Sequence, residues 1–462
     1  MKVHYIFYSL VVIVLCYLVA ITGSGCAQIG AISGGDKDTL APVLVSSSPK
    51  IPATNITGNK ITLTFNEYVD VQELQNNLIV SPYPKNMPDV GSKLKTVSIK
   101  LKDSLLPNTT YSIQFGNAIR DVNEANPAKD FTYVFSTGKS IDSLSLSGKV
   151  IIAETGKTDS TIIVMLYRNA ADSSVQKNKP NYITNVKSDG SFIFHHLPKE
   201  DFSLYALRDG DGGKTYNSKS ELFAFADKPV SIADSTAPVT LYVFEEEKKD
   251  KALSVVVKPK TAAQKKLRYS NKFGNERQDL RTYLQLSFNN KLKSIDSTKI
   301  ILTDTNYNPI AASLSIDSNL LVLKTKWAED ADYRLIIPKN AVTDIADSSL
   351  TKTDTLKFKT KSSADYGNVV LRFKNIDFTK HPVLQFTQDN AIKESFAITG
   401  KEWTYKLFPP GEYEIKILYD DNNNGKWDPG SYSKKLQPEK VIALPKKFTV
   451  RENWDNESEI NL

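Results

Sequence analysis

The sequence predicts an all-β protein: tandem antiparallel β-sandwiches behind an apolar amino-terminal segment. Three observations lead there. Short runs alternate apolar and polar residues, as in Ile61-Thr62-Leu63-Thr64-Phe65 and Val97-Ser98-Ile99-Lys100-Leu101, with Pro, Asn, Gly and Asp between them. After the first two dozen residues, no stretch sustains a helical period for long. The second half of the chain also repeats the first. Leu63, Phe65, Asn66, Asp121 and Phe135 correspond to Leu286, Phe288, Asn289, Asp344 and Phe358 at one constant offset, and Tyr111 corresponds to Tyr333 with a one-residue gap.

The apolar segment runs from Tyr5 to Ile21 without a charge; Lys2 precedes it and Gly23-Ser24-Gly25-Cys26 follows. A basic start, an apolar core and small residues at a cut site make a secretory signal peptide over residues 1–25. The cysteine placed just after the small residues resembles the lipobox of bacterial lipoproteins. That resemblance implies a diacylglyceryl group on Cys26, cleavage before it, and a mature chain held to a membrane by acyl chains such as palmitate. Each buried methylene adds about 0.8 kcal/mol, so several chains hold where one would not. The alternative is an uncleaved membrane helix, for which the run is at the lower limit of length. Both readings place the rest of the chain outside the cytoplasm.

At about 100–200 residues per domain, 462 residues imply three or four domains. The net charge is +7, but lysines and acids interleave, and no long basic block is present to track a phosphate backbone. Nucleic acid is therefore not an expected partner. Cys16 lies in the signal core and Cys26 is the lipidation site, so the mature chain has no cysteine left for a disulfide. Its stability must come from burial and sheet hydrogen bonds.

Residues 26–41, rich in Gly, Ser and Asp, read as a tether. Residues 42–138 carry strand signals at Val43–Ser46, Ile61–Phe65, Leu78–Val80, Thr96–Leu101, Thr110–Phe115 and Phe131–Ser136. The order Ser48-Pro49, Ile61-Thr62-Leu63-Thr64-Phe65-Asn66-Glu67, Leu106-Pro107-Asn108-Thr109-Thr110-Tyr111 and Phe135-Ser136-Thr137-Gly138 resembles the bacterial Ig-like domain of S-layer proteins (SbsA-type). The resemblance implies a spacer or binding module, with Phe65, Tyr111 and Phe135 in the core. Residues 143–247 carry Leu146-Ser147-Gly148-Lys149-Val150, Thr161–Tyr167, a hairpin signal at Asp189-Gly190, and Phe202-Ser203-Leu204-Tyr205-Ala206. This order resembles the prealbumin-like modules of carboxypeptidase regulatory domains. Glu245–Lys251, EEEKKDK, reads as a solvated connector. Residues 253–361 then read as a second, diverged Ig-like domain. Residues 365–462 read as a second prealbumin-like sandwich, because Phe202, Leu204, Ala206, Asp209 and Tyr216 map at one constant offset to Tyr413, Ile415, Ile417, Asp420 and Trp427.

The sharpest local chemistry is Asp420-Asp421-Asn422-Asn423-Asn424-Gly425-Lys426-Trp427-Asp428. Oxygens at Asp420, Asn422, Asn424, the Lys426 carbonyl and Asp428 follow the spacing of a calcium loop. The twelfth position is Ser431 instead of a bidentate Glu, so the expectation is a weak calcium site, with calcium the one candidate cofactor. The competing reading is an Asn-Gly hairpin turn. His195 and His196 are adjacent in a predicted strand, which sends them to opposite faces, one to the surface and one to the core. No H-E-x-x-H, G-x-S-x-G or P-loop is present. A carboxylate-pair hydrolase stays open, since spacing in sequence cannot show a pair. Asp followed by Ser or Thr and then an aliphatic residue or Thr resembles the O-glycosylation acceptor of Bacteroidota envelope proteins. It occurs at Thr39, Ser104, Ser143, Ser160, Ser235, Ser297 and Thr355, against the competing explanation of ordinary turn chemistry.

Taken whole, the chain resembles Ig-like-domain lipoproteins of Bacteroidota envelopes. The resemblance implies a non-enzymatic, lipid-anchored rod of four sandwiches in the outer membrane, on its periplasmic or surface face, with a structural, adhesive or ligand-presenting role. A rival is a glycan- or peptide-binding accessory subunit of a transport or secretion complex, which an exposed cluster of Trp403, Trp427 and Trp454 would support. Envelope proteins or glycans are the expected partners beyond the membrane itself.

Overall fold

Alternation translates directly into burial. In the strand Lys60–Phe65, Ile61, Leu63 and Phe65 are buried while Lys60 is exposed, as a period of two on a half-covered sheet requires. The computed structural model describes residues 2–22, 37–168, 173–248, 266–271, 273 and 277–462. Cys26, most of the 26–41 tether and residues 253–265 of the third predicted unit lie outside the described residues. Lys2–Thr22 is an α-helix that carries the apolar run. Among the described residues no helix is long and apolar enough to cross a membrane.

The chain divides into two compact units. One holds Met1–Val80 and Pro84–Ile141; the other holds Ser81–Tyr83 and Asp142–Leu462. The first contains one sandwich. Leu44–Ser48, Lys60–Phe65, Thr96–Lys100 and Asp89–Lys93 lie side by side in that order, and Ile79–Ser81, Thr110–Gln114 and Thr132–Ser136 form a second sheet. A two-stranded ribbon pairs Val69–Val71 with Ile119–Asp121. Leu63, Phe65, Ile99, Ile113, Phe115 and Phe135 fill the space between. The Tyr111 and Phe135 rings stack 5.0 Å apart, and the Tyr111 hydroxyl accepts the Leu106 N–H at 2.7 Å.

The second unit holds the other three sandwiches. In the one built from Leu144 to Val243, Ser191–Leu197, Leu144–Ile152 and Val239–Val243 face a sheet ordered Tyr182–Asn185, Ile163–Arg168, Asp201–Leu207, Phe223–Phe225. The sandwich from Gly367 to Asn461 reproduces this order strand for strand, with Glu402–Phe408, Gly367–Lys374 and Asp455–Asn461 facing Ala391–Ala397, Pro382–Gln388, Gly411–Tyr419 and Lys440–Ala443. Between them in sequence, the third sandwich repeats the first. Tyr333 stacks on Phe358 at 5.6 Å, and its hydroxyl accepts the Ala328 N–H at 3.0 Å.

The structure departs from the sequence expectations in four places. Leu144–Ile152 pairs with Val239–Val243 in parallel, and Gly367–Lys374 with Asp455–Asn461 likewise; period-two patterning does not encode strand direction. Asp189-Gly190 does not close a hairpin: its flanking strands Tyr182–Asn185 and Ser191–Leu197 lie in different sheets, so the turn is a corner. His195 and His196 do not divide between core and surface. His196 takes a left-handed φ of 56°, which breaks the alternation, neither ring is buried, and the two centroids are 6.2 Å apart.

The fourth departure is that the second and fourth sandwiches are not strung out along a rod but pack on each other. Tyr432 inserts among Tyr205, Tyr216, Phe223 and Phe225, with ring centroids 5.1–6.2 Å away. Beside it, Glu246 accepts the Tyr216 hydroxyl at 2.7 Å and the Tyr432 N–H at 3.3 Å. The Val441 N–H donates to the Ala153 carbonyl at 3.1 Å. Gly156, at φ +68°, permits this approach, because a Cβ there would lie 2.6 Å from the Ala443 nitrogen. The third sandwich joins the fourth through ion pairs of Arg281 with Glu394 and Arg277 with Asp365.

Candidate functional site

The acidic loop follows directly from the strand Gly411–Tyr419, whose register sends Asp420 inward until it is fully buried. A buried carboxylate needs partners. Asp420 Oδ1 accepts the Asn424 N–H at 3.1 Å and Oδ2 accepts the Gly425 N–H at 2.6 Å. Asn423 (φ 59°) and Gly425 (φ 77°) both adopt left-handed backbone to fold the loop over it, as Asn and Gly do at least cost. Asn422 and Asn424 then donate their amides to one oxygen of Asp428, at 2.5 and 2.6 Å. Asp420, Asn422, Asn424 and Asp428 are thus brought together in one hydrogen-bonded loop. The two amide oxygens accept main-chain donors in turn, Asn422 Oδ1 from the Asn424 N–H at 3.1 Å and Asn424 Oδ1 from the Lys426 N–H at 2.7 Å.

The residue that sequence reasoning missed is Glu439. It is nearly buried and comes from the far side of the loop, and its two carboxylate oxygens accept the Asp421 and Asp428 N–H groups, each at 2.9 Å. Its main-chain oxygen accepts the Trp427 indole N–H at 2.8 Å. Burial, with Asp420 and Asp428 nearby, pushes the Glu439 carboxyl above its ordinary range despite those N–H donors. Its eleven-residue distance from Asp428 hid it, since no calcium-loop spacing includes that position. Ser431, at the expected twelfth position, instead turns to Glu246 of the second sandwich, its hydroxyl 3.2 Å from the carboxylate. Among the described residues, no group of three or more His, Cys, Asp or Glu is placed to hold a metal ion.

The exposed tryptophan cluster that would support an accessory binding subunit does not form. Trp403 stacks on Tyr405 at 5.7 Å over the fourth core, Trp427 is tied to Glu439, and Trp454 is exposed beneath Arg451. Glu402 and Glu459, which line one surface groove, are each ion-paired, with Arg372 and Lys374 respectively. The seven hydroxyls Thr39, Ser104, Ser143, Ser160, Ser235, Ser297 and Thr355 are all exposed. At Ser160 and Ser297 the reason is visible. Asp159 accepts the Thr161 N–H at 2.8 Å and Asp296 accepts the Thr298 N–H at 3.2 Å, so the turn pushes the intervening serine outward. Turn chemistry and an accessible acceptor are here the same geometry.

Solved structures overlap with this chain only at low similarity. They include BcpA, the major pilin subunit of Bacillus cereus, at 9% identity over 69% of this chain and 99% of that one, with a TM-score of 0.17. The N-terminal part of the bacterial S-layer protein SbsC matches at 15% identity over 45% of each chain, with a TM-score of 0.16. The Bacillus anthracis TIE protein matches at 9% identity over 92% of this chain and 76% of that one, also with a TM-score of 0.16. No curated protein matches the sequence. Residues 38–137 match the bacterial Ig-like domain family, and the sandwich they form carries the paired sheets and aromatic core described above.

Proposed function

We propose that this chain is a non-enzymatic, lipid-anchored protein of the bacterial cell envelope. It is held in the outer membrane through Cys26, and its sandwiches serve a structural, adhesive or ligand-presenting role. The observation that carries the reading is the order of parts. An apolar run ends in Gly-Ser-Gly-Cys, and a bacterial Ig-like sandwich and three further sandwiches follow. Sheets of this kind hold loops and faces for contact, and their cores supply rigidity. The accessory-subunit reading loses the aromatic cluster that would have favoured it, and the hydrolase reading gains nothing from carboxylates already paired with Arg372 and Lys374. The exposed Asp-Ser and Asp-Thr hydroxyls are proposed as O-glycan acceptors on this envelope protein. The test of the anchor is chemical: the mass of the amino-terminal peptide of protein extracted from membranes.

The acidic loop is proposed as a weak calcium site through Asp420, Asn422, Asn424, the Lys426 carbonyl and Asp428. Without a twelfth-position carboxylate, affinity falls at the weak end for such loops, about millimolar. Calorimetric titration of the chain with calcium should give heat and a raised melting temperature, both lost on Asp428→Asn. No heat and no melting shift at millimolar calcium removes the site.

A further inference from the structure

The end of the first sandwich where the chain enters is apolar, and the fold does not require it to be. Four segments meet there. Asn66 and Val43 exchange hydrogen bonds, the Val69 N–H donates to the Leu94 carbonyl at 2.9 Å, and the Val122 N–H donates to the Tyr68 carbonyl at 3.2 Å. The side chains carried by these segments are Val43 (61% exposed), Tyr68 (55%), Leu94 (66%) and Val122 (58%). Single exposed apolar residues are ordinary, but four on one set of bonded loops are a patch.

The third sandwich supplies the control. The same bonds recur between Arg268 and Asn289, from the Leu292 N–H to Ser318, and from the Ile345 N–H to Lys291. The positions of Val43, Tyr68, Leu94 and Val122 are thus filled by Arg268, Lys291, Ser318 and Ile345. The same end of the same fold is stable with three polar residues, so apolarity at the first sandwich serves something other than folding.

Chain direction says what faces it. The chain enters the sandwich at this end, through Leu40 and Val43. It leaves at the other, where the Gly138 carbonyl accepts the Asn55 N–H at 2.9 Å. Cys26 lies only fourteen residues before Leu40, a span of at most about 50 Å. The apolar end is therefore the end through which the chain arrives from Cys26.

We infer that Val43, Tyr68, Leu94 and Val122 form a bilayer-docking surface that seats the first sandwich on the lipid surface to which Cys26 is attached. The inference rests on the anchoring reading for its choice of occupant. Lys93 and Lys95 flank Leu94, with the Lys95 ammonium 5.7 Å from the Tyr68 ring centroid, and Glu67, Glu124 and Asp38 share this end; with both signs present, binding is driven by apolar insertion and tolerates salt and neutral lipid.

The test uses the mature chain with Cys26→Ser, expressed without glycosylation because Thr39 borders the patch. Its flotation with phosphatidylethanolamine–phosphatidylglycerol vesicles is compared with that of a Tyr68→Lys, Leu94→Ser double variant, which carries the residues the third sandwich already tolerates. The parent should float, and the variant should bind at least about tenfold more weakly, the factor one well-buried apolar side chain is worth. Equal flotation of both, or flotation of neither, overturns the inference. So does a parent that self-associates without binding vesicles while the variant stays monomeric, which would make a second copy the occupant. Because the assayed chain has no lipid, its result is independent of the state of Cys26. A lipidated native chain with no vesicle binding sinks the docking surface alone, and vesicle binding with an unmodified native thiol sinks the anchor alone.

Discussion

Glu67 shows how one residue separates two copies of a fold. Burial, with the charges of Asp121, Asp38 and Glu124, raises its carboxyl pKa above the ordinary 4.5. Asp121 is itself buried, but backbone N–H groups of Glu124, Asn126 and Ala125 hold it ionised. At the matching place in the third sandwich Asn290 donates to Asp344 at 2.7 Å. A raised carboxyl stabilises the fold below its ordinary pKa, and that contribution is lost as pH rises through the raised value. Glu67→Asn should therefore stabilise the first sandwich at neutral pH by about 1 kcal/mol, and the gain should shrink as pH falls through the raised value and be gone below the ordinary 4.5. Hydrogen exchange of peptides spanning residues 110–121 reads this out. No slowing at neutral pH would show that the like charges are fully screened.

At the scale of elements, the strands with clean alternation were legible in the sequence to within one or two residues, as Lys60–Phe65 and Thr110–Gln114 show. The short Val69–Val71 and the polar edge strand Asp89–Lys93 were not, because three residues or a Gly-Ser centre carry too little pattern. The acidic loop was legible as a spacing, but its brace Glu439 was not, since only the return of the chain places it there. The contact between the second and fourth sandwiches was also hidden. It depends on Tyr432, which sits in a loop with no period, and on Gly156 and Gly430, where a Cβ would strike Ala443 and Phe244. Tyr432→Ala removes a ring packed on four others and should destabilise this contact by about 3–4 kcal/mol. Exchange should then rise in Phe223–Phe225 and Lys440–Ala443 while the first sandwich stays protected. Unchanged exchange in both strands would mean that the sandwiches are held together elsewhere.

Across the whole chain, two unlike sandwiches are each used twice, and the copies have diverged in their surfaces more than in their cores. Tyr111 with Phe135 and Tyr333 with Phe358 keep one stacked geometry, while the entry ends differ as apolar against polar. The second and fourth sandwiches keep strand order and have acquired a mutual interface. The proposed envelope role turns on whether the amino terminus is fixed to lipid. Mass spectrometry of the amino-terminal peptide from membrane-extracted protein measures this. A peptide that begins at Cys26 and carries a diacylglyceryl adduct is the expected result; one that retains residues before Cys26, or begins there with a free thiol, would contradict it.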